Sequence, residues 1–182
     1  MRDLSNEELL VKYQEAEKKA FQVFYERHKN LIMSFLVTKL KNTTDAEEAF
    51  QETFFRIHRF ILKYDPEQSA LGWVFTIAKH AAIDVVAKNQ RLAQLKTSRA
   101  QETSYKDVSG PSQLVVEARQ ELEDLFSRLS PEEQELIKYR FIDGESYEKI
   151  AARLEIKTDT TRQKLSRLLR RIKGAEGGRL KS

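Results

Sequence analysis

The sequence predicts an all-α fold: two small helical domains joined by a flexible linker, the C-terminal one a helix-turn-helix. Three observations carry this. Apolar residues recur at helical spacing through most of the chain, with few alternating runs. Six glycines and three prolines in 182 residues leave little to interrupt helices. A polar, weakly periodic stretch at 92–112, ending in Ser-Gly-Pro-Ser, separates two periodic blocks. The expected units are therefore 1–91, a linker at 92–112, whose first few residues can continue the preceding helix, and 113–182.

In the first unit, Ser5 with Glu8 three residues on forms a capping box for a first helix. Ala20, Phe21, Phe24, Tyr25, His28, Leu31, Ile32, Phe35 and Leu36 make a strong helical stripe. Thr44 to Glu47 reads as another capping box. It opens a third helix with Ala49, Phe50, Thr53, Phe54 and Ile57 inward. Pro66 disfavours helix at Asp65 and breaks the pattern. A fourth helix is expected from about Leu71 to Arg91, with Leu71, Val74, Phe75, Ala78, Ala82 and Val85 on one face.

The second unit starts with Val115, Ala118, Leu122, Leu125, Phe126 and Leu129 inward. Ser130-Pro131-Glu132-Glu133 then supplies a Ser cap, Pro at the first helical position and Glu at the third. Leu136, Ile137 and Phe141 follow, and Gly144 closes that helix.

Gly144 to Arg171 reads as two helices around a tight turn. Ser146 caps the first, whose inward positions are Ile150, Ala151 and Leu154. Glu155-Ile156-Lys157 is a three-residue break, and Thr158 or Asp159 caps the second helix. Thr161, Leu165, Leu168 and Ile172 recur along one side of that helix. Arg162, Gln163, Lys164, Arg167, Arg170 and Arg171 occupy the other. An apolar corner supporting a helix with such a polar face is the layout of a DNA-reading helix-turn-helix. The same pattern also fits a helical hairpin with a solvated basic face.

Charge supports the first reading locally. The chain has 32 Lys+Arg against 28 Asp+Glu, a formal +4. From Lys157 to Lys181, however, nine basic residues face only Asp159 and Glu176. There is no cysteine, so disulfides and thiolate metal sites are excluded. The start has no signal-peptide core, and no run approaches the roughly 18 apolar residues of a membrane span, so a soluble, cytoplasmic protein is expected without membrane insertion. His28, His58 and His80 lie on different expected helices and read as surface or boundary residues. Glu47, Glu48, Glu52 and Asp84 read as solvated faces. With no phosphate-cradling loop and no convergent cluster, neither catalytic residues, a metal nor a cofactor is expected.

Two blocks in order resemble the extracytoplasmic-function (ECF) group of bacterial sigma factors. The first is Asp45-Ala46-Glu47-Glu48-Ala49-Phe50-Gln51-Glu52-Thr53-Phe54, continuing through Tyr64-Asp65-Pro66 to Trp73-Val74-Phe75-Thr76-Ile77-Ala78-Lys79 and Ile83-Asp84. It is similar to that group's second conserved region. The second runs from Leu129-Ser130-Pro131 through Asp143-Gly144-Glu145-Ser146-Tyr147 to the end of the basic helix, and resembles the fourth region.

The resemblance implies a dissociable RNA polymerase subunit that selects promoters and assists their opening, with no catalytic centre of its own. Asp45, Glu48, Gln51, Glu52 and Arg56 would meet the coiled-coil clamp of the polymerase's largest subunit. Gln68, Ser69, Trp73, Lys79, His80, Asp84 and Lys88 would engage the −10 element, partly as unpaired bases. Thr160, Gln163, Lys164 and Arg167 would read the −35 element in duplex DNA, with Arg162, Arg170 and Arg171 holding phosphates. Trp73 is also a natural core residue. Many members of the group are held by an anti-sigma factor, which the resemblance implies as a partner. Free in solution, a monomer is expected. The chain departs from the group's habits at Glu155, where Gly is usual, at Thr161, where Val is usual, and at His80, where Asn is common. It is also less basic over Val85 to Arg91. A helix-turn-helix regulator acting on duplex DNA without polymerase accounts for the C-terminal third alone. A helical enzyme or an adaptor accounts for less.

Overall fold

The computed structural model describes residues 1, 3–97 and 111–179, with the backbone alone at 96–97, 170 and 173–179. Among the described residues all regular structure is helical: α1 (Asn6–Gln14), α2 (Lys18–Leu40), α3 (Thr43–Phe60), α4 (Ala70–Thr97), α5 (Gln113–Ser127), α6 (Pro131–Ile137), α7 (Tyr147–Arg153) and α8 (Thr158–Arg179). A 3₁₀ turn, Ile61–Lys63, extends α3, and a π turn, Lys138–Ile142, extends α6. Contacts divide the chain into Met1–Arg119 and Gln120–Ser182.

The first unit is built by α1 to α4 and the start of α5. Leu9 and Leu10 of α1, Phe24, Ile32, Met33 and Leu36 of α2, Ile57 of α3 and Val74 of α4 are all essentially sealed from solvent. Each such side chain contributes about 1.5–3 kcal/mol on leaving water. Aromatic edges organise the packing: Tyr25 and Phe50 each meet Phe54, at 4.8 and 4.9 Å, and Phe35 meets Phe75 at 5.2 Å. The expected inward residues of α3 and α4 are all buried.

Several expectations are corrected. The third helix is capped not by Thr44 but by Asn42, whose Oδ1 accepts from the backbone N–H of Thr44 and Asp45. A short amide side chain just outside the first turn captures two orphan donors at once. His28 is not a boundary residue. It is fully buried, with Nε2 2.9 Å from Asn6 Oδ1, which also accepts from Arg27 Nη1 at 2.8 Å. Helix α4 is long and apolar enough over Ala70–Leu95 to pass as a membrane span by composition, contrary to expectation. Its apolar residues instead fill the core of the first unit, where Ala70, Val74, Ala78 and Ala81 are fully buried.

The fourth helix also continues past Arg91 to Thr97, into the stretch expected to be linker, and the rest of that stretch, 98–110, lies outside the described residues. Helix α5 begins at Gln113, but its first turns group with the first unit. Val115 and Ala118 are fully buried, and Ser34 Oγ donates to the Ala118 carbonyl.

The second unit has two apolar clusters. Leu129, Leu168 and Ile172 pack with Leu125 and Ile137. Leu136, Ile150 and Leu165 pack with Tyr139, Phe141, Tyr147 and Leu154. Both use α8 as a shared wall, which fixes that helix on its inner side.

Candidate nucleic-acid interface

In the second unit, Ser146 Oγ accepts from Lys149 N at 3.3 Å and starts α7. The chain then turns through Leu154 to Lys157, with Ile156 half-buried and its N–H bonded to the Ala151 carbonyl at 3.0 Å. Glu155 adopts a left-handed φ of 53°, a conformation that Gly reaches without steric cost. The tight turn thus forms with a carboxylate side chain in the place the backbone would give to Gly. Beyond it, Thr161, Leu165, Leu168 and Ile172 face inward and are buried, as their spacing predicts.

The outer face of α8 divides by what its side chains already hold. Arg162 stands 3.7 Å from Glu148 and 3.6 Å from Asp159, with its guanidinium 5.4 Å from the Tyr147 ring centre. Lys164 pairs with Glu132, and Arg171 with Glu133 at 2.6 Å. Gln163 and Arg167 are exposed and make no hydrogen bond or ion pair among the described residues. Thr160 is half-buried at the start of the helix. The Arg170 side chain lies outside the described residues.

In the first unit, the segment between the 3₁₀ turn and α4 carries Gln68 and Ser69, both exposed. Ser69 Oγ accepts from Gly72 N at 3.3 Å and so helps start α4. Tyr64 is buried beneath: its hydroxyl donates to the Gln68 carbonyl at 2.8 Å, and its ring lies 5.1 Å from that of Trp73. Burial, then the nearby charges of Glu7 and Asp65, push the Tyr64 phenol up to about 12. Trp73 is half-buried, Lys79 half-buried and His80 exposed.

Asp84 and Lys88 sit with a different group. Asp84 pairs with Arg56 at 2.8 Å and Lys88 with Glu48 at 2.7 Å, while Asn89 donates to Asp45 at 2.8 Å. Arg56 also pairs with Glu52 at 2.6 Å. Glu48, Glu52, Arg56, Asp84 and Lys88 line an open groove of about 770 Å³ between α3 and α4, together with Gln51, Phe55 and Arg91. The structure therefore joins two of the seven residues expected at the −10 element to those expected at the polymerase. Asp45 is held above the usual carboxylate range, by burial first and by the Glu48 charge second. Phe55, 58% exposed, escaped the sequence reading. Its signal was present: an aromatic residue off the inward stripe of an amphipathic helix.

Both units match known families. Residues 24–92 match the family model for sigma-70 region 2, and residues 119–172 match that for sigma-70 region 4. The chain belongs to the sigma-70 family. Within it, this sigma factor falls in the ECF group. It is 28% identical over 141 residues to the RNA polymerase sigma factor CarQ of Myxococcus xanthus, covering 78% of this chain and 80% of that one. It is 24% identical over 173 residues to the ECF sigma factor SigK of Mycobacterium sp. (strain KMS), covering 93% and 89% respectively. Among solved structures it is similar to the sigma factor RpoE of Bartonella quintana in complex with the anti-sigma factor NepR, at 20% identity and a TM-score of 0.44, covering 86% of this chain and 96% of that one. The sigma factor is a transcription initiation factor that binds core RNA polymerase and promoter DNA.

Proposed function

We propose that this sigma factor divides promoter recognition between two unlike surfaces. Helix α8 enters the major groove of the −35 element. Gln163 and Arg167 read base edges there, Thr160 and Lys164 join them, and Arg162 and Arg171 hold phosphates. The 67–72 segment and the start of α4, with Gln68, Ser69, Trp73, Lys79 and His80, take the opened −10 strand. The α3–α4 groove, with Glu48, Gln51, Glu52 and Arg56, docks on the polymerase clamp together with Asp45 at the start of α3, while Asp84 and Lys88 border both tasks. One chain suffices, because the two promoter elements differ and need no symmetric reader. The factor acts in the cytoplasm, where polymerase and promoter are found, and supplies contacts rather than catalysis.

The observation that carries this reading is on α8. Its inner face is locked into two apolar clusters, while Gln163 and Arg167 on the outer face are exposed and hold no described partner. Reconstitution with bacterial core RNA polymerase on a genomic promoter library tests it. The expected result is initiation from a defined promoter set. No binding to core, or tight sequence-specific binding to duplex DNA without polymerase, would overturn it.

A further inference from the structure

Helix α1 precedes the 24–92 segment that matches sigma-70 region 2, so nothing in that match gives it a task. Its hydrogen bonds do. Gln14 Nε2 donates to two backbone carbonyls, Ile61 and Tyr64, each at 2.8 Å, and so brackets the 3₁₀ turn. Glu7 Oε1 accepts from Ala70 N at 3.0 Å, the first N–H of α4. A carboxylate at that position meets both an orphan donor and the positive end of the helix dipole. Helix α1 is itself immobilised, since Leu9 and Leu10 are fully buried.

Both ends of the 64–70 segment are thus hydrogen-bonded to a single helix 47 to 63 residues away in sequence. Between those ends, Asp65 to Ser69 are exposed and bare of regular structure. The Tyr64 hydroxyl on the Gln68 carbonyl is a third anchor. Segments that must receive a ligand gain affinity when their conformation is set beforehand.

Resting on the reading that this segment takes the opened −10 strand, we propose that Glu7 and Gln14 of α1 are positioning residues for it. They touch no DNA; they hold the backbone from which Gln68 and Ser69 project. Gln14 suits this because a neutral amide has two hydrogens to give and one apolar stem to pack. Glu7 suits it because only its oxygen is needed, so Gln can substitute.

The test uses holoenzyme assembled from the full chain and a fluorescent fork-junction DNA whose unpaired non-template strand carries the −10 sequence selected by the wild type. Gln14→Ala and Glu7→Ala should each weaken strand binding by about three- to tenfold. Affinity for core polymerase and for −35 duplex should stay unchanged, and Glu7→Gln should restore strand binding. Wild-type strand affinity in both alanine variants overturns the proposal. So does a parallel loss of core affinity, which would mean that α1 merely supports the fold. Gln68→Ala separates the layers. If it binds the strand like wild type, the segment itself does not read DNA and the role of α1 falls with it. If it loses affinity while neither Gln14→Ala nor Glu7→Ala does, only the role of α1 is overturned.

Discussion

One carboxylate, that of Glu133, accepts from Arg171 of α8 at 2.6 Å and from the Ser130 N–H at 3.0 Å, so the capping box of α6 also fastens the basic helix. The Arg171 hydrogen bond first, and the Ser130 N–H second, hold this carboxyl below its ordinary value of 4.5. A folded-state value below the unfolded one contributes stability above the unfolded value and loses it as pH falls through the folded one. The melting temperature of the second unit, followed by circular dichroism, should therefore fall as pH drops below about 4.5. Glu133→Gln should remove part of that slope; an unchanged slope would show that the pair contributes nothing.

Arg167 is exposed and holds no partner among the described residues. Arg167→Ala should leave stability within about 0.5 kcal/mol. It should still cost −35-dependent transcription by the equivalent of about 1–3 kcal/mol. In vitro transcription on promoters with intact and scrambled −35 elements checks this, and unchanged selectivity would remove Arg167 from base reading.

Glu155 carries a positive φ without being glycine. Left-handed backbone costs an L-residue about 1–2 kcal/mol, part of which is returned through the greater freedom of glycine in the unfolded chain. Glu155→Gly is expected to stabilise the second unit by about 0.5–1 kcal/mol, as read from denaturant midpoints. A loss of stability would mean that the turn depends on the Glu side chain.

The buried Tyr64 phenol sits at about 12 rather than 10.0. Because its folded value is raised, its contribution is complete below about 10 and disappears as pH climbs towards 12. An ultraviolet absorbance titration should include a tyrosine step near 12, and Tyr64→Phe should delete that step. A titration identical to wild type would place the slow phenol elsewhere.

Phe55 stands 58% exposed in a groove rimmed by Glu48, Glu52, Arg56, Asp84 and Lys88. An exposed aromatic inside a polar rim has the anatomy of an interface anchor. Phe55→Ser should lower affinity for core polymerase by the equivalent of about 1–2 kcal/mol while leaving the melting temperature nearly unchanged. Equal affinity by fluorescence anisotropy would reject the anchor.

Local rules made much of this molecule readable. The capping boxes at Ser5–Glu8 and Ser130–Glu133 form as written, because each needs only four adjacent residues. The inward stripes of α3, α4 and α8 follow from helical spacing alone. Thr44 misleads because Asn42, a stronger cap two residues earlier, starts the helix first by taking the N–H of Thr44 and Asp45. What could not be read were choices between partners far apart in sequence. Nothing local says that Asp84 will spend its charge on Arg56, or that Gln14 will reach the backbone at Ile61. Those depend on which helices become neighbours. The candidate polymerase and DNA residues are accordingly legible as positions off the inward stripes, but not in their grouping.

The contrast between the two proposed DNA-facing surfaces bears on how such a protein can change over generations. Gln163 and Arg167 are spectators to folding, so a new side chain there has only the promoter to satisfy. At Gln68 and Ser69, residues proposed to meet DNA also hold the backbone together: the Gln68 carbonyl accepts from Tyr64, and Ser69 Oγ accepts from the Gly72 N–H. Preference at −35 can therefore drift by single substitutions, whereas preference at −10 is expected to move only through compensated steps.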